Sequence, residues 1–72
     1  SGKQIIQAPM PGLVIDVPVS EGDQVKKGEV LIILESMKMQ NELRAPRDGK
    51  VTRVQAAVNE NVDRKQTLMV LE

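Results

Sequence analysis

The sequence predicts an all-β domain: a flattened barrel or sandwich of two four-stranded sheets with internal pseudo-twofold symmetry. Three observations carry that expectation. The chain repeats itself at a spacing of 37 residues. Its apolar residues fall in short, β-branched runs bounded by Gly, Pro and Asp. No stretch keeps the apolar periodicity of an amphipathic helix.

The repeat aligns without a gap. Ala8-Pro9 falls on Ala45-Pro46, Gly12 on Gly49, Val14 on Val51 and Val17 on Val54. Val25 meets Val62, Leu31 meets Leu68, and Leu34-Glu35 meets Leu71-Glu72. Register holds over 28 residues, from 8–35 onto 45–72, which shared β composition alone does not explain. The two half-repeats flank a hairpin connection at 36–44 within one domain, 1–72.

In the first half, Gly12 opens a valine-rich strand and residues 29–35 form an apolar run of strand length. Gly49 and residues 66–72 repeat both. Val14 and Val17 stand three apart, as do Leu31 and Leu34, and the second half repeats the irregularity. A bulge that returns the chain to the core face accounts for such spacing. Pro18 suits a strand end, where no ladder donor is lost. The segment "SEGDQVKKGE" carries turns at Gly22-Asp23 and at Gly28, with Asp23 capping its own turn. Asn59 and Lys65 replace those glycines in the second half. Lysine takes left-handed backbone far less readily than glycine, so the second turn is expected to depart from the first.

Two such halves bury their apolar faces only against each other. The connection between them then reverses sharply near Met37-Lys38 and sets Lys38 on an exposed tip. Pseudo-symmetry directs both chain ends toward the face opposite that lysine, leaving it free to project from a parent protein.

Composition narrows the function. Seventy-two residues make one domain, which at this size buries only about 60% of its unfolded surface. Without cysteine there is no disulfide or thiolate metal site, and without histidine no usual general base. No nucleophilic dyad or paired carboxylate is visible, so neither catalytic residues nor metal ligands are expected. Phe, Tyr and Trp are absent, which leaves the core to Val, Ile, Leu, Met and Ala. Ten basic and ten acidic residues are interspersed. That balance, with no aromatic platform, argues against nucleic acid as a partner. The longest apolar run, 30–34, has five residues, against about 20 for a bilayer span. No membrane partner is expected. The opening Ser1-Gly2, without an initiator methionine, reads as a piece of a longer polypeptide. The cysteine-free composition suits the cytoplasm or the mitochondrial matrix.

The stretches "APMPG", "EGDQVKKGE", "LESMKMQNEL" and "APRDGKV" together resemble the biotinyl domain, the biotin carboxyl carrier module of biotin-dependent carboxylases. The resemblance runs from about Ile5 to Glu72. Met-Lys-Met alone is a weak signal; after a strand, with the preceding Gly-Asp turn and the following Ala-Pro-x-x-Gly, it is specific. The family's fold, a barrel-sandwich hybrid, agrees with the one read from the repeat.

The resemblance implies that Lys38 forms an amide with the valeryl carboxyl of biotin. Met37 and Met39 would be recognised by a biotin protein ligase and by partner active sites, and Glu35 would contact the ligase. The cofactor would carry a carboxyl group between a biotin carboxylase site and a carboxyltransferase site, on an arm on the order of 15 Å long. The chain itself would be a non-catalytic carrier. Ser36 stands where the family more often has Ala, and no inserted segment separates Val19 from Glu21, as in carriers of multidomain subunits. Two other readings share the fold: a lipoyl carrier, whose lysine usually follows Asp, and a cofactor-free hairpin domain of a membrane-fusion adaptor. Met on both sides of Lys38 favours biotin over both.

Overall fold

Eight short strands account for the apolar runs: β1 (Gln4–Gln7), β2 (Gly12–Asp16), β3 (Gln24–Val25), β4 (Val30–Ser36), β5 (Met39–Arg44), β6 (Gly49–Val54), β7 (Asn61–Val62) and β8 (Thr67–Leu71). The computed structural model describes residues 2–72, and those residues contain no helix. Two antiparallel four-stranded sheets form, in the orders β1-β8-β6-β3 and β5-β4-β2-β7. Exchanging β1 with β5, β2 with β6, β3 with β7 and β4 with β8 converts one order into the other. The expected sandwich with pseudo-twofold symmetry is thus the observed fold.

The halves do not make one sheet each. Every sheet takes two strands from the first repeat and two from the second. Central β4 lies between β5 and β2, and central β8 between β1 and β6. The repeat also reaches further than 8–35, because β1 and the end of β5 are equivalent. Most of the expected 36–44 connection is therefore strand β5, and only Met37-Lys38 form the turn.

The three-residue spacings come from bulges, as expected. Val14 pairs with Leu34 but Asp16 pairs with Ile33, so Ile15 is the extra residue. Thr52 is extra in the matching place of β6. Leu31 interrupts the β4–β5 register and Leu68 the β1–β8 register. Each bulge lets adjacent residues face inward. Leu31, Ile32 and Leu34 are therefore all fully buried, as are Leu68, Met69 and Leu71. With Val14 and Val51 they fill the space between the sheets, and no polar side chain is buried among the described residues. Val17 and Val54 close the edges of this core.

The second turn does copy the first, contrary to the reading from sequence. Gly22 and Gly28 have φ of 96° and 89°; Asn59 and Lys65 have 75° and 71°. The Gly22 amide donates to the Val51 carbonyl at 2.7 Å, and the Asn59 amide donates to the Val14 carbonyl at the same distance. The Gly28 amide donates to the Ala45 carbonyl at 2.8 Å, and the Lys65 amide to the Ala8 carbonyl at 2.7 Å. These bonds tie each loop to the opposite half, so tertiary contacts hold Lys65 in a conformation its own propensity disfavours. Asp23 caps its turn as expected, accepting from the Ser20 amide at 2.9 Å, and Glu60 repeats this on Ala57 at 3.0 Å.

Candidate functional site

Strands β4 and β5 make the longest ladder of the fold, paired from Val30 opposite Arg44 to Ser36 opposite Met39. Met37 and Lys38 alone close it, with φ of 54° and 64°. Positive φ at both central residues marks a type I′ turn, the two-residue loop whose twist suits a hairpin. Asn-Gly is the usual sequence for such a turn. Met-Lys has no such freedom, and a non-glycine residue there carries strain of roughly 1–3 kcal/mol. The ladder below is what enforces it.

The sequence-predicted residues cluster at this tip. Lys38 is exposed, and among the described residues no carboxylate stands within ion-pair distance of it. Met37 is 92% exposed and Met39 is 68% exposed, so neither fills the core. The turn also places Met37 beside Lys38 in consecutive left-handed positions, where the alternation of an extended strand does not apply. Glu35 lies one pair below the Ser36–Met39 closure, exposed on β4, opposite Gln40 and Leu13. Its equivalent by the repeat is Glu72.

One residue was missed. Asn41 faces inward beside Leu34, half-buried, and its Nδ2 donates to the carbonyls of Met39 at 3.3 Å and Leu34 at 3.5 Å. It bridges the two strands just below the turn. Gln4, its equivalent in β1, differs in length, and that break in the repeat was the available signal.

A family described as biotin-requiring enzyme matches residues 4–71. The chain belongs to that family. The biotinyl domain is 57% identical over 51 residues to the methylmalonyl-CoA decarboxylase gamma subunit of Veillonella parvula, covering 71% of this chain and 40% of that one. It is 47% identical over 64 residues to the mitochondrial methylcrotonoyl-CoA carboxylase subunit alpha of Dictyostelium discoideum, covering 89% and 9% of the two chains. Among solved structures, a single-chain, multi-domain long-chain acyl-CoA carboxylase superposes with a TM-score of 0.92 at 33% identity. That match covers 97% of this chain and 7% of the other. The biotinyl domain thus spans less than half the length of these relatives.

It is a biotin carboxyl carrier domain, and biotin is its cofactor. The tip fits a covalently tethered group. It offers a primary amine in solvent, on a two-residue turn, flanked by two exposed thioethers. Among the described residues, no helix is long and apolar enough to cross a membrane.

Proposed function

We propose that Lys38 is the residue that carries biotin, and that the domain presents it in turn to enzymes whose active sites lie outside this chain. The observation that carries this reading is the exposed Lys38 on a strained type I′ turn. The neutral amine of Lys38 attacks the acyl carbon of a biotinyl adenylate. A C–N amide bond forms, adenylate leaves with the electron pair, and the amine proton passes to solvent.

Biotin, when bound, supplies a ureido ring able to carry a carboxyl group. The chain's residues supply placement. The β4–β5 ladder fixes the direction of Lys38, and tethering holds the attached group near both partner sites at high effective concentration. Met37 and Met39 give the visiting enzyme a soft, adaptable apolar surface around the lysine. The exposed carboxylate of Glu35 gives it a charge to read from one side. The domain contributes no catalytic residue of its own.

The partners in this reading are a biotin protein ligase, then biotin carboxylase and carboxyltransferase domains or subunits, in the cytoplasm or the mitochondrial matrix. Incubation with ligase, ATP and biotin tests it. Wild-type protein gains the mass of one biotinyl group and binds streptavidin, whereas Lys38→Arg folds and gains nothing. Labelling of the Lys38→Arg protein would overturn the assignment.

A further inference from the structure

The duplicated scaffold supplies its own control for reading surface charge. Residues 37 apart share backbone, pairing and facing, so inward positions stay alike: Val14 and Val51, Leu31 and Leu68, Leu34 and Leu71. Outward positions are free to diverge, and their charge diverges: Asp16 stands opposite Arg53 in the repeat, and Leu13 opposite Lys50.

On the outer face of the hairpin sheet, register sets Glu42, Ile33 and Asp16 in one row across β5, β4 and β2. The next row toward the tip is Gln40, Glu35, Leu13 and Asn61. Asp16, Glu35 and Glu42 are all exposed around half-buried Leu13 and Ile33. Arg44 is the one cation in this ladder, and it lies at the far end from the tip, bonded to Glu42 and to the Gly28 carbonyl.

The equivalent face of the other sheet reverses this. Arg53 replaces Asp16, Lys50 replaces Leu13, and Lys3 replaces Gln40, while Ile5 stands in for Glu42. Lys3, Arg53 and Glu72 line one shallow cleft there with Thr52 and Val70. One face thus holds three acids against one base and the other three bases against one acid. A formal net charge of zero conceals two oppositely charged faces.

We propose that the acidic face around Asp16, Glu35 and Glu42 is a docking surface for the enzyme that loads Lys38, and that this enzyme bears a lysine- and arginine-rich rim beside its active site. The acidic face belongs to the same sheet as the Lys38 hairpin and runs continuously from it. The Lys38 hairpin and this face thus belong to one continuous sheet, whereas the basic face belongs to the other. Complementary charge steers the encounter with the enzyme and orients it, acting on the association rate more than on the chemical step. The proposal rests on Lys38 as the modified residue and adds Asp16 and Glu42 to what the enzyme reads.

The test compares initial rates of Lys38 labelling by a biotin protein ligase for wild type, Asp16→Arg and Arg53→Asp. Each substitution installs a residue of the kind that the equivalent position on the other face already carries, at an exposed site. Asp16→Arg raises KM about three- to tenfold at low salt with kcat unchanged. Its deficit shrinks as NaCl rises from about 20 to about 300 mM, because screening removes the steering that wild type enjoys. Arg53→Asp stays at the wild-type rate. Equal effects of the two substitutions, or a wild-type KM insensitive to salt, would overturn the docking face while leaving Lys38 as the labelled residue. Thermal melts of all three proteins separate lost docking from lost fold. A lowered melting temperature that accounts for the whole Asp16→Arg deficit counts against the proposal.

Discussion

The carbonyl oxygen of Glu35 lies 2.7 Å from the point where a β-carbon on Gly12 would stand. The repeat reproduces the contact, with the Glu72 carbonyl 2.9 Å from the same point on Gly49. Both approaches are to backbone, which cannot swing aside. Gly12→Ala must push β2 away from β4, two residues before the turn that holds Lys38. The expected cost is about 1–3 kcal/mol, that of overpacking, read as a fall in the urea midpoint. Gly49→Ala strains the other sheet by a similar amount, yet should leave the labelling rate of the folded protein unchanged. An Ala at either position with an unaltered midpoint would show that the sheets are looser than this contact requires.

Lys65 marks a place where the fold can be improved. It sits at φ 71° where its equivalent Gly28 sits at 89°, and a β-carbon in the left-handed region costs about 1–2 kcal/mol. Greater freedom of glycine in the unfolded chain offsets part of that gain. Lys65→Gly should therefore stabilise the domain by about 0.5–1 kcal/mol and raise the melting temperature by several degrees. Gly28→Ala should do the reverse. Calorimetry checks both, and a destabilised Lys65→Gly protein refutes the strain argument.

Met37 and Met39 separate recognition from folding. At 92% and 68% exposure they bury little apolar surface, so Met37→Ala and Met39→Ala should change stability by no more than about 0.5 kcal/mol. Each should nevertheless slow biotin transfer to Lys38. Paired melting curves and ligase time courses make the comparison, and normal labelling of the double Ala variant would leave the methionines without a recognition role.

The core should respond symmetrically. Leu34 and Leu71 are equivalent by the repeat, and each is fully buried. Truncating either to Ala should cost about 2–5 kcal/mol, a large share of the roughly 5–15 kcal/mol that holds a domain together. Denaturant titrations of the two variants should agree within about 1 kcal/mol. A wide gap between them would mean that the two halves pack unequally despite their shared sequence.

Much of this was legible because the chain is written twice. Val14 against Val51 and Leu34 against Leu71 reveal which residues face inward, and the repeated three-residue spacings locate the bulges. Met37-Lys38-Met39 between strand-forming runs also marks the tip. Asn41 was marked only by its mismatch with Gln4, since an inward amide reads as an ordinary polar strand residue until its partners, the Leu34 and Met39 carbonyls, are brought beside it.

By itself the sequence determined the class of fold, its duplication, the buried faces and the lysine at the centre, because these follow from local periodicity and from comparison of one half with the other. Tertiary structure alone decided that the halves interleave two strands into each sheet, since strand partners are chosen by long-range pairing that no local pattern encodes. It also decided the left-handed turns at Met37-Lys38 and Lys65. The β4–β5 ladder imposes the first, and at Lys65 the hydrogen bond from its amide to the distant Ala8 carbonyl outweighs the backbone preference of the residue itself.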